Sequence, residues 1–480
     1  MKETLEQELK LRVPDGFELP ELEGEALQPR VFVSTYHDTP GLRLARAGAT
    51  LRHRVESGKG LWQLKLPRGG DRAELEVAGG PTKVPAEIGK LLTALTHRAE
   101  LVKVARLRTR RAGVRIAEDG RALAEVVLDS VSVLEGRRVA RTFEEVEVEL
   151  VEGDTRTLER LGKVLRRAGA GKEERRPKVV QALDLDLTSN GAAPDEPHTP
   201  AEALKLMVRR QYDQLLAHDA GVRLGTDPED LHQFRVATRR LRAVLRAAAP
   251  LLVPEWADRL RAELRWLGGA LGPLRDLDVL LAYLRRESET LEPKERVALV
   301  RLFGWFDDER ENARAEVLKA LESPRYLELL DSLEAAAETP HLVDSTISLE
   351  TIWRDEHRRL RRAMRSLGDE PGDDELHETR IRAKRARYAA ELAEPLVGAP
   401  ATRYVAAAKR VQDALGEHQD AVVAGEQVRR LVSRSRAPDA HFAAGRLVER
   451  QENRRRAARA ELPDVWGRLQ KQGRRIAKAR

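Results

Sequence analysis

The stretch "EQELKL", residues 6 to 11, sets Glu6, Glu8 and Lys10 at every second position. In an extended strand successive side chains alternate faces, so these three share one side while Leu5, Leu9, Leu11 and Val13 mostly take the other. Two carboxylates about 7 Å apart could then grip a divalent cation, with the lysine beside them for an anion. In a helix the same letters give only a Glu6 to Lys10 ion pair above Leu5 and Leu9. The remainder of the chain decides between the two.

The same grammar recurs. Arg52 and Arg54 alternate with Leu51, His53 and Val55, Glu74 and Glu76 with Leu75 and Val77, and Glu145, Glu147 and Glu149 with Val146, Val148 and Leu150. A sheet with one wet face explains polar alternation in general. Dense charge of both signs over several runs is better used by a closed barrel with an ionic lumen. There, acidic clusters repel unless they bind metal, and basic residues seek a polyanion. A helix at residues 5 to 13 would be the odd element out, so the opening stretch reads as strand.

The elements that must position these residues fall into two halves. Up to about Asp186, short alternating runs are separated by Gly and Pro clusters such as "PRGGDR", "AGGPTKVP" and "AEDGRA". That pattern predicts about eight antiparallel strands in one sheet curled into a barrel or near-barrel, with helices near residues 85–99 and 155–168. The polar segment "LTSNGAAPDEPHTP", residues 187–200, reads as a linker between a domain at 1–186 and one at 201–480. Nearly everything after it has helical period. The expected fold is therefore multi-domain α+β, a β tunnel followed by an all-α domain.

Composition narrows the function classes. The 480 residues are 34% charged and 4% aromatic, with a net charge of only +7. Any basic site must come from local segregation of signs rather than bulk charge. The lack of cysteine excludes disulfides, thiolate metal sites and cysteine nucleophiles, and fits a reducing, cytoplasmic compartment. No run of about 18 apolar residues suggests a membrane span.

At this point "EQELKL" resembles the E-x-E-x-K signature of the CYTH, or triphosphate tunnel metalloenzyme, family. The similarity continues through "VSTYHDTPGLRLARAGATLRHRV", "WQLKLP", "AEVVLD", "FEEVEVELVEG" and "RPKVVQAL", covering nearly all of residues 1–186. The resemblance implies an eight-stranded tunnel acting on triphosphates with Mg²⁺ or Mn²⁺. Glu6 and Glu8 would bind metal together with carboxylates among Glu145, Glu147 and Glu149. Lys10, Arg52, Arg54, Lys65 and Lys178 would hold phosphate oxygens, and parity in "RLRTRR" adds Arg108 and Arg110. The family usually has Ser-Lys at the last lysine, where this chain has Pro177 and Lys178. Glu125 or Asp129 is a candidate general base, set against the ordinary alternative of a structural strand carboxylate.

The second half contains a duplication. "DLHQFRVATRRLRAVLR" at 230–246 matches "ELHETRIRAKRARYAAE" at 375–391, and "ALGPLRDLDVL" at 270–280 matches "ALGEHQDAVV" at 414–423. Two related helical modules, about 201–340 and 341–480, are the simplest account. His232, Arg235, Arg239, Arg242 and Arg246 follow one helical face, and His377, Arg380, Lys384 and Arg387 repeat the stripe. Asp227 and Pro228 look like an N-cap and first-turn proline. A lone helical histidine is usually structural and an arginine stripe usually a solvated face, but the repetition of both lowers that reading. Zinc is disfavoured because neither histidine has a second ligand at i+4 and cations surround both. A basic cleft for a linear polyphosphate uses the residues better. These motifs resemble the CHAD family of conserved-histidine helical domains, which implies inorganic polyphosphate as ligand. Asp276 and Asp420 read as helix-terminal or arginine-orienting, structural rather than in contact with ligand.

The function expected from all this is a metal-dependent inorganic triphosphatase whose helical domain binds polyphosphate, with polyphosphate granules as a further association. A non-enzymatic polyphosphate-binding protein, or a tunnel enzyme acting on thiamine triphosphate or ATP, are the alternatives. Nucleic acid is allowed by the pI near 9.5 but disfavoured by scarce aromatics and near-balanced charge.

Overall fold

In the computed structural model, residues 2–69, 71–186, 197–433 and 435–478 are described. The chain divides into two compact units, 1–191 and 192–480. Most of the expected linker, residues 187–196, lies outside the described residues. Its last residue, Pro200, opens the first long helix, which Thr199 caps.

The first unit runs β1 (Lys2–Glu6), β2 (Glu8–Arg12), β3 (Glu25–Asp38), α1 (Arg43–Arg46), β4 (Thr50–Glu56), β5 (Lys59–Arg68), β6 (Asp71–Ala78), α2 (Ala86–Leu91), α3 (Thr93–Thr96), β7 (Val102–Glu118), β8 (Arg121–Glu135), β9 (Arg138–Leu150), α4 (Thr155–Arg167) and α5 (Lys178–Ala182). All pairings are antiparallel, in the order β1-β6-β5-β4-β3-β7-β8-β9-β2. The two edges of that order, β1 and β2, are consecutive in the chain with only Gln7 between them. One stretch of backbone therefore forms both edges, and the curled sheet closes on itself. Nine strands stand where eight were expected because the first is interrupted at Gln7, whose carbonyl accepts from the Leu150 N–H at 3.0 Å.

Local chemistry fixes the hairpins. Ser57 and Gly58 (φ 50° and 79°) join β4 to β5, and Asp119 and Gly120 (φ 51° and 78°) join β7 to β8. Two successive positive φ values suit two-residue hairpin loops, whose twist matches that of the flanking strands. On the outer face Leu11, Val126, Val146 and Val148 bury against Leu161 and Leu165 of α4. Burying each such leucine contributes about 1.5–3 kcal/mol. The Asp154 carboxylate starts α4 by accepting from the Thr157 N–H at 3.0 Å.

The second unit is helical: α6 (Pro200–Leu224), α7 (Pro228–Ala247), a 3₁₀ turn at Ala249–Leu251, α8 (Pro254–Ser288), α9 (Pro293–Phe303), α10 (Trp305–Leu321), α11 (Pro324–Glu338), α12 (Leu349–Ser366), α13 (Asp373–Val397), α14 (Ala399–Val432) and α15 (Pro438–Lys478). Asp227 caps α7 by accepting from the Glu229 N–H, with Pro228 in the first turn as expected. Inside the unit, Asp219 accepts from the Arg223 Nε–H at 2.6 Å and from the Tyr326 hydroxyl at 2.7 Å, all three buried. The helices carrying the duplicated motif, α7 and α13, pack directly against each other. No described helix is long and apolar enough to cross a membrane.

Candidate functional site

Residues directly opposite one another in an antiparallel ladder share a face, so register alone assembles the tunnel wall. Arg52 lies opposite Gln63, Gln63 opposite Glu76, and Lys65 opposite Glu74. Around the other half, Arg111 lies opposite Asp129, Asp129 opposite Glu145, Glu147 opposite Lys10, and Glu149 opposite Glu8. The apolar neighbours Leu11, Val146 and Val148 face outward under α4, so this ionic set faces inward. Lys10, Asp129, Glu145, Glu147 and Lys178 are all buried.

α5 closes one end of the tunnel. Val179 and Val180 pack on the lumen-facing Tyr36, Leu107 and Val131. Beside them the Lys178 ammonium donates to Glu147 at 2.7 Å and lies 3.0 Å from Asp129. Arg111 reaches the same carboxylates, donating Nε–H and Nη2–H to Asp129 at 2.8 and 2.7 Å and Nη1–H to Glu149 at 2.8 Å. Lys10 stands 3.7 Å from Glu145 and 3.5 Å from Glu147. Burial opposes ionisation of Glu147 and Asp129, but Lys178 and Arg111, with Lys10 as well at Glu147, more than offset it and hold both below the usual carboxylate range. Asp129 is thereby an anchored anion rather than a base awaiting a proton. Glu125, the other candidate base, is paired with Arg115 at 2.8 Å.

Toward β1 the balance reverses. Glu6 titrates above its ordinary value because it is buried and has Glu74 beside it, with Lys65 opposing the shift. Glu149 is likewise raised by burial, with Glu147 adding to the shift against the pull of Arg111. Oxygens of Glu8, Glu147 and Glu149 lie within 4.8 Å of one another, as do those of Asp129, Glu145 and Glu147. The second trio already encloses Lys178. The first is the better fit to a divalent cation, since its Glu149 resists ionisation without one, and hard cations take carboxylate oxygens. Glu6 belongs to neither trio; it lies beside them, joined to Lys65 at 2.5 Å.

The opposite wall is basic. Arg52 donates to Gln63 at 2.7 Å and to the Tyr36 hydroxyl at 3.3 Å, and Arg54 lies 3.8 Å over the Phe32 ring while pairing with Glu56. Burial, then the neighbouring Arg52, lowers the Arg54 pKa. Lys10, Arg52, Arg54, Lys65 and Lys178 thus line one lumen with the glutamates expected there.

Two expectations are corrected. Arg108 and Arg110 are exposed on the outer face of β7, whereas Leu107 and Thr109 are buried on the inner one. The parity argument assumed that charge marks the lumen along the whole strand. At the α5 end the lumen is apolar, so the inward position is Leu107, and the arginine that enters is Arg111. Arg111 went unrecognised because "RLRTRR" offers arginine in both phases. Asp129, of the two readings open to it, takes the structural one as its fixed partner.

In the helical unit the two stripes lie side by side. The Lys384 ammonium is pushed down to about 8 by burial and by Arg380 and Arg239, so residues of both stripes sense each other. Burial, then Arg265 and Arg239, lowers Arg242, and burial, then Arg275, lowers His232. Arg235 pairs with Asp276 at 2.7 Å and Arg380 with Asp420 at 3.7 Å, the same contact in both repeats. The His377 Nδ1 is 3.0 Å from Gln419 Oε1. Arg387 is held by Glu391 at 3.2 Å. Cations that depress one another's proton affinity mark a surface of uncompensated positive charge.

A curled sheet with an ionic lumen and a duplicated helical unit define a class with two domains. The CYTH domain matches residues 4–176 and the CHAD domain residues 206–429, and the chain belongs to the proteins that join the two in this order. It is 32% identical over 507 residues to an uncharacterized protein of Mycobacterium tuberculosis strain H37Rv, a match covering 97% of this chain and 96% of that one. The CHAD domain structure from the plant Ricinus communis is 28% identical, covering 57% of this chain and 93% of its own, with a TM-score of 0.45. An adenylyl cyclase candidate from Hippeastrum, described as having a dominant triphosphatase activity, is 20% identical, covering 38% of this chain and 98% of its own at a TM-score of 0.25.

Proposed function

We propose that the first unit is a metal-dependent inorganic triphosphatase and that the helical unit binds inorganic polyphosphate. The observation that carries the first part is one lumen in which Glu8, Glu147 and Glu149 converge within 4.8 Å on a cavity that also holds Lys10, Lys65, Arg52, Arg54 and Arg111. Such a lumen is complementary to a cation together with condensed phosphate, and to neither alone. A Mg²⁺ or Mn²⁺ ion bound by Glu8, Glu147 and Glu149, with Glu6 beside them, would neutralise phosphate oxygens and acidify a water.

The protein's own residues do the rest. Arg52 is pre-positioned by Gln63 and Tyr36, so its remaining N–H groups present a fixed fork to phosphate oxygens. Lys65 and Arg54 supply charge along the same wall and stabilise what develops on the leaving pyrophosphate. Arg111 and Lys178 keep Glu147 and Asp129 ionised and in place, so the acidic wall stands ready without reorganisation. Along α7 and α13, His232, Arg235, Arg239 and Arg242 with His377, Arg380, Lys384 and Arg387 would run beside a linear chain of phosphates.

The direct test is phosphate release from tripolyphosphate by the purified full chain with Mg²⁺ or Mn²⁺. The double variant Glu6→Gln, Glu8→Gln should lose at least about 10²-fold in turnover, the scale of removing transition-state charge stabilisation. Absence of release from tripolyphosphate by the unaltered protein with either metal defeats the proposal. A panel including thiamine triphosphate and ATP reads the substrate class.

A further inference from the structure

α9 and α10 meet at Gly304, whose φ of −57° and ψ of −23° are right-handed helical, so the two helices share one phase. Glu295, Leu299, Leu302, Phe303 and Phe306 are buried on their inner side. Lys294, Val297, Arg301, Trp305 and Asp308 follow one another at steps of three or four residues and form an outer stripe, all of it exposed. Val297 is 51% exposed, its neighbour Val300 46% and Trp305 37%. Arg296 and Asp307 stand on one flank of the stripe, about 20° apart around the helix.

The stripe is basic at one end and acidic at the other: Lys294, Arg296 and Arg301 precede Gly304, and Asp307 and Asp308 follow it. Among the described residues, none of these charged side chains makes a hydrogen bond or an ion pair. The duplication supplies a comparison within the molecule. The repeat offset that aligns His232 with His377 aligns Arg301, Trp305 and Asp307 with Arg446, Arg450 and Glu452 of α15. There each charge is engaged: Arg446 donates to Glu295 at 2.7 Å, Arg450 donates to Glu287 at 2.9 Å, and Glu452 accepts from Arg455 at 2.9 Å. In the first repeat the equivalent charges stand open, and an exposed tryptophan replaces one arginine. Tryptophan is among the residue types most enriched where interface energy concentrates.

An anionic membrane or an acidic partner would suit the basic end of the stripe and be repelled by the acidic end. A surface with both signs in reverse order satisfies the whole stripe, and a second copy of the chain lying antiparallel is such a surface. We propose that α9 and α10 form a two-fold interface with a second copy of this chain. Lys294 and Asp308 lie equally far from Arg301 along the helix, as do Val297 and Trp305, while Arg296 and Asp307 lie equally far from the midpoint between Arg301 and Leu302. An antiparallel two-fold brings each member of such a pair onto the other in the second copy and keeps like flanks together. Lys294 therefore meets Asp308 of the second copy, Arg296 meets Asp307, and Val297 packs on Trp305, each contact being made twice. Arg301, nearest the axis, lies one turn from the second copy's Trp305, whose ring face attracts a guanidinium. About a dozen residues a side is fewer than the roughly 20–30 of a standard interface, so association is expected in about the micromolar range. The inference stands on the helical unit and requires neither a catalytic tunnel nor a bound polyphosphate.

Sedimentation velocity of the full chain over about 1–300 µM tests it, with dimer expected at the upper end. Arg296→Glu and Asp307→Arg should each raise the dissociation constant at least about tenfold, since each sets like charges together twice. Mixing the two variants should restore association, because the two introduced charges then face each other across the axis while the second Arg296 to Asp307 contact is unaltered. Both positions are exposed, so the melting temperatures should stay near that of the parent. Lys294→Glu with Asp308→Lys repeats the design should either variant fail to fold. If the unaltered chain stays monomeric over that range, if the single variants associate as it does, or if mixing restores nothing, the inference is overturned. Flotation with vesicles of anionic lipid reads the other occupant: binding that Arg296→Glu abolishes, without self-association, assigns the face to a membrane and overturns it equally.

Discussion

The Lys178 ammonium stands 2.7 Å from Glu147 and 3.0 Å from Asp129, so a lysine from the helix plugging the tunnel is shared by carboxylates of two adjacent strands. Replacing it with alanine would leave Asp129, Glu145 and Glu147 buried around a missing cation. Breaking a buried ion pair from one side costs about 3–5 kcal/mol. Lys178→Ala should therefore lower stability by that order in urea unfolding. The trio it vacates then has the spacing of a cation site, so Mg²⁺ or Mn²⁺ should recover more stability in the variant than in the parent. Equal recovery in both would show that the lysine does not occupy a latent cation position.

Metal binding should depend on pH with a definite sign. Glu6 and Glu149 have folded-state pKa values raised above the ordinary carboxylate value, through burial first. Without metal, folding favours their protonated forms, and the stability this contributes is lost as pH rises from the unfolded value through the folded one. A cation reverses that preference because it binds only the ionised oxygens. Added Mn²⁺ should raise the melting temperature much more near about pH 7.5 than near about pH 5, and Glu149→Gln should flatten the difference. Scanning fluorimetry at the two pH values reads it, and a pH-independent metal shift would contradict the assignment.

The two phases of "RLRTRR" separate cleanly. Arg111 binds Asp129, Glu147 and Glu149, whereas Arg108 and Arg110 point away from the lumen. Arg111→Ala should lower turnover of tripolyphosphate by about 10²-fold and also destabilise the fold, because it unpairs buried carboxylates. Arg108→Ala and Arg110→Ala should stay within about 0.5 kcal/mol of the parent in stability and match it in turnover. Steady-state kinetics on the three variants distinguishes a lumen set by register from one set by the density of arginine.

That contrast also shows what the sequence carries. Alternation placed Glu6, Glu8 and Lys10 on one face because a strand has period two whatever lies beside it, and the helical stripes were legible for the corresponding reason at period 3.6. The interruption at Gln7 was not legible: it exists only because one strand must pair with β6 on one side and β9 on the other. Arg111 was missed because the lumen changes from ionic to apolar where α5 enters, and no local pattern announces a helix more than sixty residues later in the chain. Pro177 departs from the expected residue yet starts α5, so that Lys178 still points into the tunnel. In the helical unit the two stripes were visible separately, but their meeting at Arg239 and Lys384 depends on how α7 packs on α13.

Lys384 makes that meeting measurable. Its pKa of about 8 reflects burial and then repulsion by Arg380 and Arg239. A lowered lysine pKa means the folded protein sheds a proton that the unfolded chain retains up to about 10.5, so this group's contribution to stability increases with pH across that window. An anion laid along the stripe favours the charged form and opposes the shift. Polyphosphate should consequently bind with proton uptake near pH 8, and its affinity should fall as pH rises above that value. Lys384→Arg keeps the charge throughout, since guanidinium does not titrate there, and should abolish the step while preserving binding at neutral pH. Titration calorimetry in two buffers of different ionisation enthalpy measures the proton uptake directly. If the parent and Lys384→Arg show the same proton linkage, Lys384 is not in contact with the bound chain, and the stripe formed by α7 and α13 loses its central residue.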